Sequence, residues 1–480
     1  MPTHDLYRPG EWYSLPPELA TVVLENLHRQ QRKKGLSSYV RVCKQWQYVL
    51  EKENFRRLKL RASCLESFEE VVSRRVRGLV RHVWLNVKLL SYENKTNWRF
   101  STTGEDSMME KAAGKLLASL KTWRSTGNGL TLELTAQSPT DQLWYRHLHY
   151  GAHGEEEGEG IDDEMSGHDA DVCHDGRQQS LRRHQPLMRI HAPIYLLPKE
   201  LPQVDAVTRI LLRRQFRRQF SYCRHAHPNN DLGPKTLKRL SLFENRHEVV
   251  DPIVSGVGSH HFIGNIFHNP ASSSDAVVRR SSSLEHLSVA FMVEAQHFFH
   301  KCRAQQRWER LESLVLTSTL LGPAMDAALI TTVSGVLVAA GAAALRMPNL
   351  RTMAIWNAGV DFAGVFLYQR DSKASISWHG TWDTVLEPRV VREWTKVASK
   401  YCPLNPDLEV QPPRRIEDVD CYSDAIHALR LPDGVLDPVS LWQMNRETVL
   451  GRQCPLNNGG STAVQRCSKG LPMCREEGHL

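Results

Sequence analysis

The densest set of side chains able to do chemistry in this chain is the run RRQFRRQF at 213–220, where Arg213, Arg214, Arg217 and Arg218 are interleaved with Phe216 and Phe220. Forked guanidiniums match carboxylate and phosphate geometry, so such a run could grip a phosphorylated or acidic target segment. It could also meet an RNA backbone, or pair with the chain's own acidic stretch. The plainer alternative is a solvated charged face with both Phe side chains packed inward, the usual fate of charge runs. Two groups of His and Cys invite a metal. His153, His168, Cys173 and His174 lie among the carboxylates of 151–176, and Cys223, His225 and His227 form a tight triplet. Neither has the spacing of a closed zinc site, and affinity needs preset geometry, so no metal and no cofactor is expected.

Catalytic signatures are missing. The chain has no GxSxG elbow, HExxH helix, GxxxxGK[ST] loop or Rossmann GxGxxG placed between a strand and a helix, so the expectation is a binding protein and not an enzyme. Lys and Arg outnumber Asp and Glu by 61 to 53, and the resulting +8 is spread through the chain instead of gathered into an arm, which argues against nucleic acid as the partner. Ten cysteines show no CxxC pair and no disulfide-scaffold spacing, implying a reducing compartment, cytoplasmic and/or nuclear. The first residues lack the charged start and apolar run of a secretory signal. Residues 327–345 carry no charge, yet they are mostly Ala, Gly, Ser and Thr and lie between two strand-like units. That favours a helix packed closely on a sheet over a membrane span, and no membrane partner is expected.

What would position these groups is legible in outline. The first ~60 residues read as three short helices, with apolar faces at Leu19, Val22, Val23 and Leu27, then Leu36, Tyr39, Val40 and Cys43, then Trp46, Val49 and Leu50. Beyond them the pattern apolar-x-x-apolar-x-apolar recurs: LKRLSL (237–242), LEHLSV (284–289), LESLVL (311–316) and LRTMAI (350–355), with weaker copies VRHVWL (80–85), VTRILL (207–212) and IHALRL (426–431), and GLTLELT (129–135) as a looser relative. In an extended chain this pattern puts the last two apolar residues on one sheet face. Helical stretches at 293–302, 324–345 and 388–400 fall between copies. A strand with a returning helix, repeated, is the grammar of a leucine-rich-repeat solenoid, though the spacings of 47, 27 and 39 residues between successive clear copies make it an irregular one. Trp356, Trp378, Trp382 and Trp442 stand at strand ends, either lining a recognition surface or filling core.

WYSLPPELATVVLENL, then GLSSYVRVCKQWQYVLEKENFRRLKL, resembles an F-box: an LPxEL opening, an apolar pair one helical turn later, and a V-C-K-x-W element ending in Phe and a basic pair. The segment HRQQRKKG between the first two helices is longer and more basic than in the family. The resemblance implies a docking surface for the Skp-type adaptor of a Skp/cullin/F-box ligase, carried by Leu15, Pro16, Leu19, Val23, Leu36, Val42 and Trp46. RHVWL, LESLVLTSTLL, RMPNLRTMAIWNAG and TWDTVLEPRVVREW, among other landmarks between residues 12 and 444, also resemble an uncharacterised family of filamentous-fungal F-box-like proteins.

The expected fold is therefore α/β: a three-helix F-box at 12–60, then an irregular leucine-rich-repeat-like α/β solenoid at 61–450. An acidic disordered insertion at 151–185 and a loop at 255–283 interrupt it, and a disordered tail follows at 451–480. The expected function is a substrate receptor: the helices hold the Skp-type adaptor and through it the cullin scaffold, while the body recruits an unknown protein substrate, with Arg213, Arg214, Arg217 and Arg218 as candidate target contacts. The alternative is a ligase-independent repeat-type protein that binds an acidic or nucleic-acid partner.

Overall fold

An apolar-x-x-apolar-x-apolar run buries its last two side chains only when a neighbouring run does the same beside it, and the architecture follows from that requirement. The computed structural model describes residues 16–30, 39, 41–90, 103–124, 129–138, 194–195, 202, 204–213, 220–221, 234–243, 270–322, 326–359, 361–382, 385–417, 419–433, 435–437, 440–441 and 444. Helices α1 (Pro17–Gln30) and α2 (Lys44–Arg56) come first, and strand β1 (Arg57–Arg61) follows α2 without a break. Next are the single-turn α3 (Phe68–Val71), β2 (His82–Lys88), α4 (Thr103–Leu120), β3 (Leu130–Gln137), β4 (Ile194–Tyr195), β5 (Val207–Leu212), β6 (Phe220–Ser221) and β7 (Arg239–Phe243). The second half holds α5 (Pro270–Ser281), β8 (His286–Glu294), α6 (Ala295–Lys301), β9 (Ser313–Thr317), α7 (Ala327–Ala344), β10 (Thr352–Ala358), β11 (Ala363–Arg370), β12 (Ala374–Gly380), α8 (Pro388–Tyr401), β13 (Glu409–Val410), β14 (Arg414–Arg415) and α9 (Tyr422–Leu429).

All these strands except β4 and β6 join one 12-stranded sheet whose spatial order follows chain order. Neighbours are parallel from β1 through β10, then β10, β11 and β12 form an antiparallel meander. The fold is thus mixed α/β with a largely parallel sheet. Register turns the recurring sequence pattern into two apolar ladders. One runs Ile210, Leu240, Leu287, Leu314, Met353, Tyr368, and the other Leu212, Leu242, Val289, Leu316, Ile355, Phe366. All twelve side chains are buried. The first apolar residue of each clear copy, Leu237, Leu284, Leu311 and Leu350, is buried in the turn that leads into its strand.

Helices α5 to α8 lie side by side over the ladder face, each touching the next. The small-residue helix α7 packs there with Val333, Val336, Leu337 and Ala340 inward. It is long and apolar enough to cross a membrane by composition alone. A Cβ at Gly341 would stand 3.0 Å from the Glu393 side chain and 3.4 Å from Trp394 Nε1, so this glycine permits the close approach of α8. Trp394 uses that approach to donate from Nε1 to Leu337 O at 3.1 Å, with its ring 4.6 Å from that of Tyr368.

Three expectations are corrected, and one element falls outside the recurring pattern. Residues 57–61 continue the sheet as β1 instead of ending a helical module, because Arg57 leaves the helix with extended dihedrals and pairs with His82. IHALRL is helical: Ala425, Ile426 and Leu429 bury one helix face and Arg430 closes it at φ 49°, so the apolar spacing read as a strand served the other period. Within the expected loop at 255–283, residues 270–281 form α5, whose Val277 and Val278 are buried under a serine-rich composition that hides the signal. The hairpin of β11 and β12 lies outside the recurring pattern, although ASISWHG alternates at strand period. The expected acidic insertion at 151–185 and tail at 451–480 lie outside the described residues, as do residues 255–269.

Candidate functional site

The N-terminal helices make a small unit with two unlike sides. Leu24 of α1 and Val49 and Leu50 of α2 are buried, and the last turn of α2 runs straight into β1. Arg75 forks onto Glu51 of α2 with bonds of 2.7 and 2.8 Å, and Gln47 adds a third at 2.9 Å. Those bonds hold the Glu51 carboxyl below its ordinary pKa despite the desolvation that opposes them. Leu19, Val22 and Val23, which share a face of α1, and Val42, just ahead of α2, are 53%, 50%, 47% and 60% exposed. With Tyr48 they supply five of the ten exposed large hydrophobics among the described residues, all within 30 positions of the chain, which makes the exposure a local feature and not a scatter. Burying the four aliphatic side chains would stabilise a complex by roughly 1.5–3 kcal/mol for each one fully buried.

Of the residues expected to dock an adaptor, Pro16, Leu19, Val23 and Val42 are solvent-facing. Trp46 is half-buried, its ring 6.1 Å from that of Tyr39 in a stacked arrangement. Leu15 and Leu36 lie outside the described residues. Val22 was not among the expected contacts, yet its exposure puts it in the same patch; its place one residue before Val23 on α1 was the available signal.

Arg213 is not where a rim residue would be. It is 2% exposed and clamps the fully buried Glu133 of β3 through Nε to Oε1 at 2.6 Å and Nη2 to Oε2 at 2.7 Å. His82 Nε2 lies 2.7 Å from the same carboxylate, Arg57 Nη2 3.8 Å away, and Arg213 Nη1 donates to Asp437 at 3.3 Å. The sheet sets this geometry, because Glu133 pairs with Trp84 on one side and Leu211 on the other, and Arg213 follows β5 directly. Burial pushes the Glu133 carboxyl up, but the hydrogen bond from His82 and the charges of Arg213, His82 and Arg57 outweigh it and hold it low. Trp84 floors the cluster, with Arg57, Lys59 and Arg213 cations 5.6, 4.5 and 5.5 Å from its ring. So Arg213 belongs to a buried ion cluster, while Arg214, Arg217 and Arg218 lie outside the described residues, as do both groups of His and Cys considered for a metal. No group of metal-competent side chains forms among the described residues.

This sheet face, opposite the ladders, is also where the chain returns. Ile416, Tyr422, Ala425, Ile426, Leu429 and Val435 cover Phe243, Ala290, Val315, Trp356 and Val365. Phe291, at φ 64° in a bulge of β8, is turned into that contact, 5.3 Å from Trp356. Trp356 is therefore core, Trp378 is buried in the core of the ladder face, Trp382 is half-buried, and Trp442 lies outside the described residues.

A family of unknown function, DUF6546, has a model that matches residues 232–437. The match starts just ahead of β7 and ends at Asp437, so it takes in the parallel-to-meander half of the sheet and its covering segment, and leaves out α1, α2 and Glu133. The chain matches no curated protein and no solved structure.

Proposed function

We propose that the chain is a substrate-receptor subunit of a Skp/cullin/F-box ubiquitin ligase, in which α1 and α2 act as part of an F-box and the sheet body is a repeat-like stack that recruits a protein target. The observation that carries this is the exposed aliphatic set Leu19, Val22 and Val23 of α1 and Val42 just before α2, the helix that Arg75 fastens to the body. Water is a poor neighbour for four such side chains, and a Skp-type adaptor would remove them from it in an interface of roughly 1,600 Å² in total. The sheet supports the same view from a second direction. Its strand order never reverses among the described residues, so it lacks the switch-point crevice in which open α/β sheets hold small ligands, and a broad face remains for a polypeptide. Ubiquitin transfer would then be a matter of proximity, with the chemistry done by other subunits.

The test is co-purification of the tagged full-length chain with a Skp-type adaptor, for the wild type and for Leu19→Asp, Val42→Asp and Trp46→Ala. Adaptor recovery should fall at least tenfold in each variant while urea unfolding of the body is unchanged. Recovery at the wild-type level in all three would refute the assignment. A ligase-independent binder of an acidic partner is the second reading, favoured by the basic row on the sheet described next. It would be supported by a wild-type chain that is monomeric alone and ignores the adaptor.

A further inference from the structure

On the face opposite the ladders, one register row reads Arg57, His82, Thr131, Arg209, Arg239, His286, from β1 to β8. Adjacent members sit on neighbouring strands, about 4.8 Å apart along the sheet. The two ends of this row are in different electrostatic states. Arg57 and His82 lean on Glu133, which is buried beside them. Arg209 and Arg239 face each other directly and make no hydrogen bond or ion pair among the described residues, an arrangement of like charges that destabilises a sheet. Carboxylates in the neighbourhood are committed: Glu133 to Arg213 and His82, Asp437 to Arg213, and Glu285 to Arg310 at 2.7 Å and Lys238 at 3.0 Å. Glu312 is the exception, and it acts on His286. Burial, opposed by Asp437 and reinforced by the Arg239 charge, lowers the pKa of Arg209.

Two permanent cations kept side by side with no ion pair among the described residues have a reason to persist if an anion arrives from outside. We infer that Arg209 and Arg239, with His286 beside them, form a binding site for a phosphate monoester carried on the target polypeptide. The charge count selects the phosphate. A single carboxylate, as Glu133 demonstrates, is already satisfied by one guanidinium fork and one imidazole. Two facing forks plus an imidazole offer more donors than a carboxylate can accept, and their +2 matches a group with three acceptor oxygens and a charge near −2. The site is open, since Arg239 is exposed and Arg209 and His286 are half-buried. Only the polypeptide origin of the phosphate rests on the receptor reading above; the anion site stands on the row itself.

The experiment is thermal unfolding of the full-length chain in sodium phosphate, in sodium acetate and in sodium chloride at matched ionic strength, for the wild type, Arg209→Gln and Arg239→Gln. Phosphate should raise the wild-type melting temperature and acetate should not. Both variants should melt at or above the wild type in chloride, because a repulsion has been removed, and should lose the phosphate response, with affinity down about tenfold or more. A phosphate shift retained in both variants, or an equal shift from acetate, overturns the site. The second arm retains the chain on a bead-bound degenerate phosphoserine peptide library against the same library without phosphate. Retention by the phosphorylated beads, lost in Arg239→Gln, supports a polypeptide source, and equal retention by both libraries overturns it. Adaptor co-purification of Arg239→Gln should match the wild type, so a failure of the receptor assignment would show in that measurement and not in the phosphate response.

Discussion

Glu133→Gln is the sharpest perturbation of the buried cluster, because it removes one negative charge without changing shape. Arg213 is 2% exposed and would keep its 3.3 Å bond to Asp437, whose side chain is 19% exposed, and at most one neutral amide acceptor at position 133. Breaking a buried ion pair from one side costs about 3–5 kcal/mol, since the surviving charge stays out of water without a partner. That is a large part of a domain's total stability of about 5–15 kcal/mol. Urea unfolding followed by circular dichroism should show a lower midpoint with an unchanged slope. The double variant Glu133→Gln/Arg213→Met should recover most of the loss, because a pair replaced by groups of similar volume is close to neutral. A single-variant loss below about 1 kcal/mol, the range of an exposed pair, would refute the claim that this cluster is dry.

The same cluster sets an acid sensitivity: the Glu133 carboxyl is held below its ordinary pKa, so its contribution is present above the ordinary carboxylate range and is lost as pH falls through the depressed value. Melting temperature against pH should therefore drop more steeply at acid pH for the wild type than for Glu133→Gln. Leu314→Ala, in the middle of a ladder and fully buried between Leu287 and Met353, should cost about 2–5 kcal/mol in urea unfolding. Gly341→Val should cost about 1–3 kcal/mol by driving α8 off α7, read as a lower melting temperature. Arg430→Gly should raise stability by about 0.5–1 kcal/mol in the same assay, because Arg430 closes α9 at φ 49°.

The N-terminal patch shows how far local pattern reaches. Leu19 and Val23 were singled out as docking residues from their place in a motif, while the helical spacing that groups them with Leu27 says only that they share a face. Whether that face looks inward depends on what stands opposite, and β1, Arg75 and the turn at Arg77–Leu79 occupy the other side of the pair. For Arg213 the same ignorance had the opposite outcome. A run of four arginines reads as a charged surface, and nothing nearby in the chain announces Glu133, 80 positions earlier, as the partner of its first member.

Sequence alone determined most of the two apolar ladders, because a period-2 pattern has one solution in an extended chain: the last two apolar positions of each copy that forms a strand share a face, and the copies must stack to keep them dry. It also determined the close-packing character of α7 through its small side chains. Tertiary structure decided the rest, and the reason is the range of the forces involved. Strand register across the sheet brought Arg57, His82, Thr131, Arg209, Arg239 and His286 into one row from six separate strands. The return of residues 416–444 decided which part of that face stays open. Charge acts through space and ignores chain distance, so an arginine clamped on a buried carboxylate and an arginine facing another arginine are spelled with the same letter.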